Sequence, residues 1–427
     1  MQLIQDTKNV LRSMKGQDFG FYAAALYLLL EYVRPHVIYP FIDILPWTQL
    51  TILLGLFYVI VKGQLKFQMM HFVLLCFVGA AYISSFLSYD PTASFNRIDY
   101  IVSWFVVVIF FTGAVRNLEQ YKLLTILLFL FLFKMSLFGA KTWVMRGFSF
   151  TSWGISGPRG FFQNSGELSL LMVIFAAMSF SYIAANKSIS KYYYIVPITA
   201  VMTVLAASSR GSQLAMAVVA VLLAIMIGKL RFRNMVLFGI VCWAGFTLLP
   251  EEQKERFSTM GDDATSESRL IYWEKGLEMM HDHKLFGVGY YAFPSYFEDK
   301  YVHSVNFENF RYRREVAHNS YIQVGSEMGY IGLSIYLLLI FIFFRLTSKT
   351  RKLIDNGSTI SRHKWVHGYC TGLNIAFIGY IIGSTFMSVA FYPYLYLFLM
   401  LAQSLYNSVN HEKEVHKHQF TNSSVTG

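Results

Sequence analysis

From end to end the chain repeats one pattern, an apolar run close to the thickness of a bilayer followed by a short polar break. A run of about 18 apolar residues is long enough to cross the hydrocarbon core as a helix. Candidate spans lie near 19–33, 44–61, 68–88, 98–115, 123–140, 167–185, 192–208, 213–228, 235–249, 327–345, 366–389 and 392–407. The expected fold is therefore an all-α polytopic membrane protein, a single membrane-embedded domain of about 12 transmembrane helices. Composition agrees: 55% of residues are hydrophobic, 14% are charged and mean hydropathy is +0.43, whereas soluble domains carry about 25% charge. The opening "MQLIQDTKNVLRSMKGQD" is polar and has no leader-like apolar core, so the expectation is that no signal peptide is cleaved.

Charge placement orients the spans. With the N-terminus inside, the inner segments and tails hold 20 of the 36 Lys and Arg residues, and the short outer loops hold six. Lys and Arg concentrate on the cytoplasmic side, so both termini are expected there. This also accounts for much of the net charge of +11, which in a soluble chain would suggest nucleic acid; no basic helix interleaved with aromatics supports such a partner. Segments 345–365 and 408–427 are then a basic cytoplasmic loop and tail. Segment 141–166, rich in Gly, Ser and aromatics, is a short periplasmic stretch ordered at the interface. Segment 250–317 is a long periplasmic loop before the tenth span. Within it Leu270, Trp273, Leu277 and Met280 recur at helical spacing and predict an amphipathic helix lying on the membrane face as a lid. Cys76, Cys242 and Cys370 fall inside spans at unrelated positions, which suits small core residues and neither a disulfide framework nor a metal site.

Some polar residues are not explained by topology. Arg210, in "AASSRGSQ", joins two spans with almost no loop. It reads either as an arginine snorkelling to the surface or as an anion site, with Ser208, Ser209 and Gly211 offering hydroxyls and close backbone approach. Arg159, in "SGPRGFFQNSGE", stands at a turn before the sixth span with both readings open. Gln163 and Asn164 there could read sugar hydroxyls or cap the helix, and Glu167 would favour the helix start through the dipole. Arg269 opens the amphipathic helix, where the dipole disfavours a cation, so a partner or an anionic ligand explains it better than chance placement.

The stretch "EVAHNSYIQVGSEMGYIGL" carries the sharpest candidate, His318. It stands where the loop enters a span, beside Asn319, which can cap the helix. Gly325 and Gly329 form a small-xxx-small pair that would let this helix pack closely on another. A neutral imidazole can take a proton from a hydroxyl near neutral pH. The preceding run Arg311, Arg313 and Arg314 reads as a lipid-headgroup contact.

Four segments together resemble the O-antigen ligase and polymerase superfamily of bacterial envelope glycan assembly: "HNSYIQVGSEMGYIG", "SRGSQLA", "SRLIYWEKGLEMMHDHKLFGVGYYAF" and "GPRGFFQNSGELSL". The resemblance covers roughly residues 140–405. It implies glycosyl transfer at the periplasmic face of the bacterial inner (cytoplasmic) membrane, from a glycan on undecaprenyl diphosphate to a glycan or lipid A-core acceptor. On that reading His318 is the catalytic base, and Arg210 and Arg269 neutralise the diphosphate. Arg159, Asn164 and Asn319 bind substrate, and neither metal nor cofactor takes part. Transfer to protein Ser or Thr, by an oligosaccharyltransferase of the same superfamily, is an alternative reading. A polysaccharide or lipid transporter is a second, from another class. Transporters tend to show two related halves with a midplane site, whereas here the long loop follows the ninth span and the polar candidates gather at the outer face.

Overall fold

The computed structural model describes residues 2–150, 154–186, 188–226, 254, 264–303, 314–355 and 364–425. Its principal helices are α1 (Gln2–Met14), α2 (Phe19–Leu28), α3 (Trp47–Val61), α4 (Met69–Phe86), α5 (Ile98–Ala114), α6 (Leu118–Met145), α7 (Ser165–Ala185), α8 (Ile195–Ala206) and α9 (Arg210–Met226). After them come α10 (Ala264–Asp282), α11 (Phe293–Lys300), α12 (Ser320–Asp355), α13 (Lys364–Gly383) and α14 (Pro393–Val425). The described residues contain no strand, and six helical segments among them are long and apolar enough to cross a membrane. Three shorter apolar helices, Trp47–Val61, Lys191–Ala206 and Arg210–Met226, lie among them. The ninth expected span, 235–249, lies outside the described residues, as do Arg311 and Arg313. The all-α membrane architecture stands; the count of twelve is not established by these helices.

Side chains at the polar breaks start the helices. Asp18 accepts from the Phe21 amide at 3.0 Å at the head of α2, and Asn117 from the Gln120 amide at 2.8 Å at the head of α6. Each satisfies one of the amide donors that a helix start leaves open. Successive breaks fall at opposite ends of the bundle. At one end Gln68 donates to Asn407 across 2.9 Å and Arg116 pairs with Asp18. At the other, Trp104 Nε1 donates to the Phe391 carbonyl at 2.9 Å and the Tyr394 hydroxyl to the Glu167 carbonyl at 2.7 Å. All six residues singled out as site candidates fall at this second end.

The most enclosed of the six long helices is α7, and α13 lies along it. In lipid, close backbone approach replaces the hydrophobic effect as the main source of helix association. Here α13 supplies a stripe of small residues. Gly368 meets Ala185, Gly372 meets Ser181, Gly379 meets Val173 and Val219, and Gly383 meets Leu170. The small-xxx-small seam is therefore in α13, not at Gly325 and Gly329 as the spacing suggested. Gly325 packs on Met280 of α10, and Gly329 serves a different purpose.

Gly329 breaks α12, with φ 67° and ψ −170° in an otherwise helical run. The segment 284–289, "KLFGVG", fills the break with its backbone. The Val288 amide donates to the Ser326 carbonyl at 2.8 Å, and the Gly289 amide to the Glu327 carbonyl at 3.1 Å. The Tyr330 amide donates to the Lys284 carbonyl at 2.8 Å. The carbonyls and amides freed by the break are thus re-satisfied from the loop, as a polar backbone at membrane depth requires. A side chain at Gly287 would strike the Ser326 and Glu327 backbone, and one at Gly329 the Leu285 carbonyl. The two glycine motifs of the sequence are the two halves of one interlock.

Three further expectations shift. Helix α12 runs past residue 345 to Asp355, so the first half of the expected loop 345–365 is helical. Helix α14 likewise continues past residue 407 to Val425. In α10 the stripe divides: Leu270 is 56% and Leu277 49% exposed, Trp273 and Met280 turn towards Ala317 and Gly325, and the fully buried residues are Tyr272 and Met279. Those two join Val288, Ala292, Phe293, Phe297 and Ala317 in a small core of their own. The inward side is set by aromatic volume and by Gly276, which admits Ile322 of α12, rather than by the aliphatic periodicity.

Candidate functional site

His318 closes the loop and Asn319 opens α12. The Asn319 Oδ1 accepts from the Tyr321 amide at 2.9 Å and the Ile322 amide at 3.2 Å. That cap leaves His318 just outside the helix, in the left-handed region at φ 51°, a conformation uncommon for a non-glycine residue and held here by its surroundings. Its ring is 30% exposed, and Nε2 lies 3.0 Å from Glu315 Oε2. The other ring nitrogen is not committed to that carboxylate. Glu315 is a partner that the sequence reading did not single out, although i,i+3 spacing could have suggested it.

Helix α10 reaches this point from the side. The Trp273 indole donates to the Ala317 carbonyl at 3.0 Å, and the Tyr272 ring stands 6.4 Å from the His318 ring. Arg269 is one turn earlier on α10, so the same contacts that fix the histidine fix the approach of this arginine.

Helix α7 begins at a capping box. The Asn164 amide donates to Glu167 Oε2 at 3.3 Å, and its Nδ2 to Glu167 Oε1 at 3.1 Å. Of the two readings open for Asn164, the helix cap is the one its contacts display. Glu167 faces the Tyr392 hydroxyl and lies within electrostatic reach of His318. Next to it, Gly166 lies against the Met387 thioether and the Ser209 hydroxyl.

Helix α9 begins at Arg210 itself, behind a left-handed Ser208 at φ 54°. Gly211 abuts Phe386. On the far side of the same segment, Ser320 donates to the Met387 carbonyl at 2.7 Å and accepts from the Val389 amide at 2.9 Å. The connection 384–389 between α13 and α14 is therefore a wedge. The arginine turn leans on one flank and the start of α12 on the other, with the start of α7 against Met387.

Arg159 is placed differently. It is exposed on the loop 154–163, and its carbonyl accepts from the Arg34 guanidinium. Phe162 of that loop stacks on Tyr32 at 5.8 Å, and Gly154 backs onto the Ala207 carbonyl. The loop is thus packed and touches the arginine turn, but no described contact joins the Arg159 side chain to the other candidates. Arg314 has protein partners: it bonds Ser295 Oγ at 2.6 Å and lies 3.9 Å from Asp90 and 3.7 Å from Glu298, so it links α11 to the α4–α5 connection.

Three helix starts thus meet at one end of an all-α bundle, where cations, a histidine and carboxylates gather. The long apolar helices define a multi-pass membrane protein, and these polar side chains gather at one end of it. Residues 195–337 match the family described as O-antigen ligase, so the chain carries a domain of the O-antigen ligase and polymerase superfamily. The matched third contains Arg210, Arg269, His318 and Asn319, and excludes Arg159 and Asn164. The family implies, in general terms, glycosyltransferase-like ligase or polymerase activity on lipid-linked glycans. No curated protein matches the chain.

Proposed function

We propose that the protein transfers or polymerises a glycan from undecaprenyl diphosphate at the periplasmic face, without a metal and with inversion at the anomeric carbon. The observation that carries this reading is the wedge 384–389, with Gly211, next to Arg210, against one flank and the head of α12, just after His318, against the other. A lipid-linked donor keeps its diphosphate at headgroup depth while its sugar projects outward. Arg210 and Arg269 would take the diphosphate oxygens in charge-assisted hydrogen bonds. The acceptor hydroxyl oxygen attacks the anomeric carbon from the opposite side, and its proton passes to the His318 nitrogen that Glu315 leaves open. The bond from the anomeric carbon to the phosphate oxygen breaks with its electron pair on the diphosphate. The leaving group is already good, so the protein's task is positioning and neutralisation of charge.

The test is transfer by purified protein in lipid nanodiscs, with lipid-linked glycan, acceptor and a chelator. His318→Ala should stay folded and bind donor but lose about 10²–10⁴ in rate, the usual contribution of a general base. Full activity in that variant would sink the mechanism. Deletion in the host then separates the branches. Loss of long chains from lipid A marks a ligase, chains one repeat long mark a polymerase, and unchanged envelope glycans with altered glycoproteins mark transfer to protein.

A further inference from the structure

Beside this site lies a cluster of aromatic side chains that the reaction above does not use. The Arg97 guanidinium stands 5.7 Å from the centre of the Tyr100 ring and 5.3 Å from that of Tyr291. Phe161 is edge-on to Tyr100 at 5.5 Å and to Tyr392 at 5.1 Å. All four rings are half-buried and Arg97 is exposed. The Tyr392 hydroxyl faces Glu167, which joins the cluster to the neighbourhood of His318.

The cluster is built on a fixed floor. Trp104 is buried beneath Phe161 at 5.2 Å, stacks on Tyr396 at 5.7 Å and is hydrogen-bonded to the backbone of the α13–α14 connection. Tyr290 is buried against Phe391 at 4.7 Å. Tyr291 holds a left-handed backbone at φ 58°. That is a costly conformation for a bulky residue, and it follows directly on the clip that fills the α12 break. Rings of a membrane-interface belt anchor a protein singly around its perimeter. These touch one another, hold a cation, and converge on one side of the site.

We propose that Arg97, Tyr100, Phe161, Tyr291 and Tyr392 form a binding subsite for pyranose units of the glycan, one that grips the sugar chain next to the reacting residue. The inference rests on the glycan-transfer reading for its substrate class. The chemistry is direct. The C–H face of a pyranose carries partial positive charge and pairs with the electron-rich face of an aromatic ring. Hydroxyls around its edge need donors and acceptors, which the fixed guanidinium, the phenol hydroxyls and the Glu167 carboxylate supply. Among the described residues no carboxylate lies within ion-pairing distance of Arg97, so its N–H donors are oriented by the two rings without being consumed by an acid.

The test uses the whole protein in lipid nanodiscs and, as probe, free oligosaccharide repeats cut by mild acid from the host's own envelope glycan. Binding is read by saturation-transfer NMR on the sugar protons. The wild type should transfer saturation to ring C–H protons. Arg97→Gln and Tyr291→Leu should each bind about tenfold more weakly, the scale of one lost aromatic or charged contact. Binding is read without any transfer step, so this readout stands whether or not His318 is the base. Arg97 is exposed, so its variant keeps the fold and remains decisive if Tyr291→Leu does not assemble. Unchanged sugar binding in Arg97→Gln would overturn the subsite. So would displacement of the sugar by undecaprenyl phosphate alone, which would assign the rings to lipid.

Discussion

The Trp273 indole donates to the Ala317 carbonyl across 3.0 Å, and so ties α10 to the residue that precedes His318. Trp273→Phe keeps the ring and removes the bond, leaving a buried carbonyl without that donor. Such a loss costs about 1–3 kcal/mol. Thermal unfolding in detergent should show a lower midpoint, and transfer should fall although neither Arg269 nor His318 has changed. An unchanged midpoint would mean that the bond does not hold α10 in place.

Gly329 and Gly63 share a positive φ, 67° and 61°, but Gly329 combines it with ψ −170°, a region that almost only glycine enters, and their surroundings differ. A side chain at Gly63 would meet nothing within 4 Å, whereas one at Gly329 would meet the Leu285 backbone. Gly63→Ala should therefore cost only the left-handed strain, about 1–2 kcal/mol. Gly329→Ala should cost distinctly more, because it also pushes the 284–289 clip out of the helix break. Monodispersity on size exclusion and the unfolding midpoint give the comparison. Equal losses would show that the clip tolerates displacement.

Asp90 is held below the usual carboxylate range, first by the Ala93 amide, then by the Ser295 hydroxyl, with a smaller pull from Arg314. A depressed folded-state value means that the contribution is complete above the unfolded value of about 3.9. It is lost as pH falls below that and through the folded value. Asp90→Asn should be less stable than wild type at neutral pH, and the difference should shrink on acidification below about pH 4. Unfolding midpoints measured from pH 7 to pH 3 would show it; a gap that does not narrow would place the stabilisation elsewhere.

Orientation is tested by labelling. In a chain lacking Cys76, Cys242 and Cys370, single cysteines at 156 and 300 should react with an impermeant thiol reagent added to intact spheroplasts. Cysteines at 62 and 351 should react only after permeabilisation. Reversal of the pattern would put the site on the cytoplasmic side and remove the lipid-linked donor from consideration.

Much of this was legible in the sequence because it depends on local chemistry. Apolar runs must become helices in lipid, where every backbone group needs an internal partner. The caps at Asp18, Asn117, Asn164 and Asn319 are written beside the runs they start. The polar residues left over at the breaks, Arg210, Arg269 and His318 among them, stand out because charge near a membrane is costly and needs a reason.

What only the tertiary structure decided is which chemically similar positions do which work. Gly325 and Gly329 show the same spacing as Gly368 and Gly372. The second pair packs α13 on α7, while Gly329 breaks α12, and the difference lies in the backbone of 284–289, some forty residues away from Gly329 in the chain. The stripe of Leu270, Trp273, Leu277 and Met280 predicted one apolar face, but Tyr272 and Met279 form the buried side while Leu270 and Leu277 are exposed, because periodicity does not say which neighbour a helix will meet. Nothing in the local sequence marks Arg97 or Arg34; folding brings aromatic rings to the first and a loop carbonyl to the second. Sequence fixes what each residue can do; contacts between distant segments select among those capacities, since they depend on chain neighbours that no local pattern contains.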